Sequence, residues 1–141
     1  MDSERKAFLY EAPISNDIQI VDVILIHSRA NFACVLMDVD RLGLFDLQTG
    51  DWKFGLEMEH PCFPRRIAHV PRKESIVFGN GRSLGVFNDE TLWAFGWMDF
   101  PHLITAVVGG FVHDYWSSCV AVGGEEGGLY IVNVEQAACH Y

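Results

Sequence analysis

The sequence predicts an all-β fold built from repeats, and three observations carry that expectation. Apolar residues recur at every second position over short runs. Leu42 and Leu44 do so, then Trp52, Phe54 and Leu56, which is the side-chain period of a strand with one buried face. Turn residues interrupt such runs about every ten positions, with no sustained helical periodicity between them. The strand–turn–strand pattern of residues 42–56 then returns twice. Half of the 141 residues are apolar, so the chain is one domain's worth and can bury a core of its own.

Taken in order, residues 6–12 form a short strand candidate that Pro13 ends. Residues 18–27 carry apolar side chains at both parities, the pattern of a strand buried on both faces. After a polar turn at 28–31, residues 32–37 make a compact strand, and residues 42–46 and 52–56 make a hairpin closed by Thr49-Gly50. Glu59-His60-Pro61 breaks the pattern. The second round has strands at 66–70, 75–78, 84–88 and 92–97, with Gly79-Asn80-Gly81-Arg82 and Asp89-Glu90-Thr91 as turns rich in residues that suit tight reversals. The third round comes after Phe100-Pro101, with strands at 103–112, 118–122 and 129–134.

Aligning the rounds superposes Leu42-Gly43-Leu44-Phe45-Asp46, Leu84-Gly85-Val86-Phe87-Asn88 and Leu129-Tyr130-Ile131-Val132-Asn133. Phe87 lies 42 residues after Phe45, and Val132 lies 45 residues after Phe87. A period of this length with four short strands is the mark of a β-propeller blade. The expected fold is therefore a propeller-like array of about three four-stranded antiparallel blades in a single domain, with repeats at 14–60, 61–99 and 100–141. Three blades are fewer than the about four to eight of a usual ring. The array reads as an incomplete ring: a fragment, an arc completed by another chain, or a self-associating one.

The repeats resemble WD repeats. Leu44-Phe45-Asp46-Leu47-Gln48-Thr49-Gly50 is similar to that family's Trp-Asp-x-x-Thr-Gly ending, with Phe45 in the Trp place. Residues 123–133 resemble its run of small residues, acid and Gly leading into an alternating strand. The Trp-Asp pair is replaced by Phe45-Asp46, Phe87-Asn88 and Val132-Asn133, and the Gly-His pair that opens the family's repeats is missing. The resemblance implies a rigid, non-catalytic platform that acts as a subunit or adaptor in a protein complex. It also implies that residues 6–12 add an outer strand of the kind that closes such rings.

Composition excludes several other functions. The formal charge of −9 disfavours a nucleic-acid backbone as partner, since phosphate binding needs a basic surface. No apolar run reaches the about 18 residues of a membrane span, and the charged N-terminus with its short apolar stretch does not read as a signal peptide. Cys34, Cys62, Cys119 and Cys139 form no CxxC pair and read as reduced thiols of a cytoplasmic or nuclear protein.

No constellation assembles chemistry. His60-Pro61-Cys62 and Cys139-His140 lack zinc-ligand spacing and a group to orient a nucleophile's base, so neither metal nor cofactor is expected. Gly79-Asn80-Gly81 and residues 123–128 lack the Lys-Ser/Thr and helix of a phosphate loop and read as tight turns. Two features remain as candidate binding residues. Arg65, Arg66, Arg72 and Lys73 flank one short strand as a possible basic patch for an acidic peptide or phosphogroup, and Tyr115-Trp116 sits in a loop as an aromatic anchor. Trp52 and Trp93, early in fourth strands, read as packing between blades. The partner expected is another protein or peptide, with self-association or a second chain completing the ring. The alternative is a propeller enzyme or carbohydrate binder, with acidic residues such as Asp38, Asp40, Asp114, Glu125 and Glu126 and aromatics around a central channel.

Overall fold

The structure, a computed structural model, describes residues 18–26, 31–37, 41–57, 64–111 and 114–138. The strand expected at 6–12, both Cys/His clusters, and Asp38 and Asp40 lie outside these residues. Three antiparallel sheets succeed one another along the chain. The first holds β1 (Ile20–Ile26), β2 (Phe32–Met37), β3 (Arg41–Asp46) and β4 (Asp51–Glu57), in that spatial order. The second repeats the arrangement with β5 (Arg65–Val70), β6 (Ser75–Asn80), β7 (Ser83–Asn88) and β8 (Ala94–Asp99). The third holds β9 (Ile104–Val108), β10 (Cys119–Gly124) and β11 (Leu129–Asn133). The first strands of successive sheets, β1, β5 and β9, lie side by side. The sheets are therefore blades fanned about an axis on the side of their first strands.

Two apolar cores fill the gaps between blades. Ile26, Cys34, Leu36, Leu42 and Leu44 of the first blade meet Ile67, Ile76, Phe78 and Phe87 of the second. Ala68, Val70, Val77, Leu84 and Val86 on its other face meet Ile104, Val120, Val122 and Val132 of the third. The middle blade is sandwiched, so Ile76 and Phe78 serve one core while Val77 serves the other. That is why β6 reads as an unbroken apolar run. Burying a side chain such as Phe78 or Leu84 contributes about 1.5–3 kcal/mol each.

Within blades, the aligned Gly-x-Phe stretch has a packing reason. A Cβ on Gly43 would stand 2.8 Å from the Trp52 ring, and one on Gly85 would stand 2.9 Å from Trp97. The fourth-strand indole lies over a bare third-strand backbone, with its edge against Phe45 (5.0 Å) or Phe87 (5.6 Å).

Two expectations are revised. The third blade has three strands among the described residues, and a helix, α1 (Val134–Ala138), takes the place of a fourth strand. Good helix formers (Glu135, Gln136, Ala137, Ala138) succeed Asn133, whose Oδ1 accepts from the Glu135 amide at 2.9 Å. Val134 anchors this turn in the second core, and α1 rests on β7 and β8. Second, β1 is not buried on both faces: Val23 and Leu25 are 50% and 51% exposed.

Candidate functional site

Neighbouring strands run antiparallel, so the connections of each blade sort to two ends. The first-to-second and third-to-fourth connections emerge together, at what we call the lower rim. Backbone hydrogen bonds tie them: Leu47 N–H donates to Asn31 O (3.0 Å), Asp89 N–H to Glu74 O (3.0 Å) and Val134 N–H to Ser118 O (2.9 Å). The second-to-third turns and the links between blades share the upper rim, where Gly81 N–H donates to Pro64 O (2.9 Å) and Glu125 N–H to Leu103 O (3.0 Å).

This geometry divides the residues singled out from sequence. Arg72 and Lys73, in the single 3-10 turn Pro71–Lys73, and Tyr115 and Trp116, in the 3-10 turn Asp114–Trp116, occupy the same connection of adjacent blades and share the lower rim. Arg65 and Arg66 begin β5 at the upper rim, a strand length of about 20 Å away. The four cations therefore do not form one patch. Arg65 is also buried, at 1% exposure, and Arg66 folds back so that its Nη1 donates to Arg65 O at 2.7 Å. Lys73 is ion-paired with Glu135 of α1, and Arg72 is exposed on the lower rim.

The aromatic pair is exposed on the lower rim. Tyr115 and Trp116 are 73% and 42% exposed, edge to face with ring centres 4.7 Å apart. A third aromatic joins them at this rim. Trp93, read from sequence as inter-blade packing, is 76% exposed. The turn before β8 explains the reversal. Leu92 adopts φ 59°, donates its amide to Asn88 O at 2.9 Å and takes the buried position, which rotates Trp93 outward. The inner place falls to Trp97. The sequence signal was there in the five-residue spacing: Trp52 comes six residues after Asp46, Trp93 only five after Asn88.

A buried polar pair lies beneath the rim. His69 Nε2 and Asp89 Oδ2 are 2.9 Å apart with both side chains shielded from solvent. The pair joins the end of β5 to the β7–β8 turn, and Ser75 Oγ, donating to Lys73 O at 2.8 Å, holds the intervening turn. Sequence reading placed Asp89 in a turn and gave His69 no role, since only the strand ends' convergence brings them together.

Near the axis, an open groove of about 450 Å³ is lined by residues that include Ile24, Leu25, Ile67, His69, Val107 and Val108, and among the described residues no carboxylate lines it. Glu125 and Glu126 sit instead in the 3-10 turn Glu125–Gly127 at the upper rim, with Glu126 3.6 Å from His102 Nδ1. Cys34 and Cys119 are both buried free thiols, and burial, with the Asp22 carboxylate as a second cause, pushes the Cys34 thiol far above the ordinary cysteine range. Among the described residues, no helix is long and apolar enough to cross a membrane.

Solved structures with the same arrangement decide the architecture. The chain superposes on the structure of U3-55K with a TM-score of 0.70 at 5% identity, over 88% of this chain and 38% of that one. The fold is that of a β-propeller. The crystal structure of the RRP9 WD40 repeats gives 0.68 at 10% identity, covering 90% of this chain and 41% of that one. BBS1N, solved in complex with ARL6DN, gives 0.65 at 12% identity, covering 79% and 36%. The chain thus spans less than half of each of these propellers. No family model matches the sequence. No curated protein matches it either.

Proposed function

We propose that this propeller arc is a non-catalytic interaction scaffold that binds a protein or peptide through its lower rim. The observation that carries the reading is the set of three exposed aromatics, Trp93, Tyr115 and Trp116, at one end of the fold. Exposed Trp and Tyr on stiff turns supply large contact area at low entropic cost, and they dominate binding energy where interfaces use them. Arg72 adds a charged contact beside them, while Lys73 acts through Glu135 as part of the rim's framework. With the cations dispersed, the rim favours a partner that presents an apolar anchor over one recognised by charge alone. The solved complex of BBS1N with ARL6DN is a protein assembly built on the same fold, which supports a protein partner here.

The enzyme or carbohydrate alternative needs carboxylates and aromatics convergent at the axis, whereas the described lining of the axial groove is mainly aliphatic. Buried reduced thiols support the cytoplasmic or nuclear assignment. The test is selection from a displayed random-peptide library on the purified chain. The expected result is an enriched peptide class with a large apolar residue, whose affinity falls at least about tenfold (about 1.4 kcal/mol) on Trp116→Ala while circular dichroism is unchanged. Failure to enrich any class, or affinity indifferent to Trp116, overturns the reading.

A further inference from the structure

Charge separates the two turns that the second blade brings to the lower rim. In the 71–74 turn, Arg72 and Lys73 stand beside Glu74, and Glu135 of α1 is ion-paired with Lys73. With α1 counted, that turn carries no net formal charge. Residues 88–93, Asn-Asp-Glu-Thr-Leu-Trp, contain no Lys or Arg. Asp89 is buried against His69, while Glu90 and Trp93 are both exposed. The chain as a whole carries a formal charge of −9. A cationic partner is therefore drawn to this turn, where an acidic one is repelled.

The same turn is held by its own hydrogen bonds. Asn88 Oδ1 accepts from the amides of Glu90 and Thr91 at 2.9 Å and from Thr91 Oγ1 at 3.2 Å. Leu92 N–H donates to Asn88 O at 2.9 Å, and Asn88 N–H to Trp93 O at 2.8 Å. Trp93 N–H donates to Thr91 Oγ1 at 3.2 Å. The backbone that carries the Trp93 indole, 76% exposed, and the Glu90 carboxylate is thus fixed before a partner arrives, and little of its entropy is lost on binding.

An exposed indole and a carboxylate on one stiff turn are complementary to a guanidinium, which stacks on aromatic faces and forms forked hydrogen bonds with carboxylates. We propose that the 88–93 turn is an arginine subsite for a basic peptide segment. The segment lays an Arg side chain over Trp93 and pairs it with Glu90, while its apolar residue rests on Tyr115 and Trp116. The subsite rests on the lower-rim reading and adds to it the charge and side-chain type of the partner. It also reverses the sign of partner that the basic residues suggest from sequence, since Lys73 is engaged by Glu135 and Arg65 and Arg66 lie at the other rim.

The test uses peptides selected from a displayed random library on the purified chain. The expected class carries an Arg beside its large apolar residue, and its affinity falls as salt is raised. Glu90→Gln is expected to weaken the Arg peptide about two- to fivefold and to reduce that salt dependence. The same peptide with its Arg replaced by Gln is expected to bind both proteins alike. Trp93→Leu keeps an apolar side chain but removes the π face, and should narrow the preference for Arg over Gln by about two- to fivefold. Both substitutions lie at exposed positions, and an unchanged circular dichroism spectrum checks the fold of each. Selected peptides that lack a basic residue but still lose affinity on Trp116→Ala overturn the arginine subsite and leave the lower-rim reading standing. An Arg preference indifferent to both Glu90→Gln and Trp93→Leu overturns the subsite as well. A library that enriches nothing overturns both readings together.

Discussion

At Gly85, a Cβ would lie 2.7 Å from Phe87 and 2.9 Å from Trp97, distances that real contacts do not sustain. Gly85→Ala forces the indole or the β7–β8 pairing to shift, and overpacking of this sort costs about 1–3 kcal/mol. Urea denaturation should show that loss with an unchanged m-value. Cys34 gives a residue-level pH dependence. Its thiol stays protonated in the fold past the ordinary cysteine value of 9.0, where the unfolded chain loses its proton. Above that pH the unfolded state binds fewer protons than the native state, so stability falls as pH rises, by up to about 1.4 kcal/mol per unit. Cys34→Ala should flatten the alkaline limb of the stability profile, and thiol-alkylating reagents should modify Cys34 only as fast as the protein opens. The aligned glycines Gly43 and Gly85 were legible in the sequence because the repeat placed them in equivalent strand positions, and the buried cysteines because each lies in an apolar strand run. Arg65 was not: a cation beside a turn reads as solvated, and only the packed blades show that its strand end is closed over.

The turns repeat one device at the scale of elements. Asp46 Oδ1 accepts from Gln48 N–H at 2.8 Å, Asn88 Oδ1 from Glu90 and Thr91 N–H at 2.9 Å, and Asn133 Oδ1 from Glu135 N–H at 2.9 Å. The aligned residue at this position thus caps the turn in each of the three described blades. The element after the cap differs: a fourth strand in two blades and α1 in the third. The sequence shows the cap but not this choice, since Val134 becomes helical by packing into the second core, a long-range effect. The exposure of Trp93 depends on the left-handed Leu92, which the sequence marks only by the shorter spacing from Asn88 to Trp93. The His69–Asp89 pair fixes the turn that carries Asp89 to the end of β5. Asp89→Ala leaves a buried imidazole without this partner and should cost about 1–3 kcal/mol in chemical denaturation. It should also raise amide exchange in the 71–74 turn, whose Glu74 carbonyl accepts from Asp89 N–H.

For the whole molecule, antiparallel alternation is what converts scattered turn residues into a surface. Periodicity and repeat length were enough to place every described strand, and Tyr115-Trp116 was visible as an exposed aromatic pair. The partition of four basic residues between two rims was not visible, because it depends on strand direction and not on distance along the chain. Whether function resides on the lower rim is tested most directly by backbone amide chemical-shift mapping with a library-selected peptide. The predicted result is perturbation confined to residues 71–74, 89–93 and 114–118, and unaltered by Arg82→Glu on the upper rim. Perturbation centred instead on residues 81–82 and 125–128, or on the axial lining of β1, β5 and β9, would contradict it.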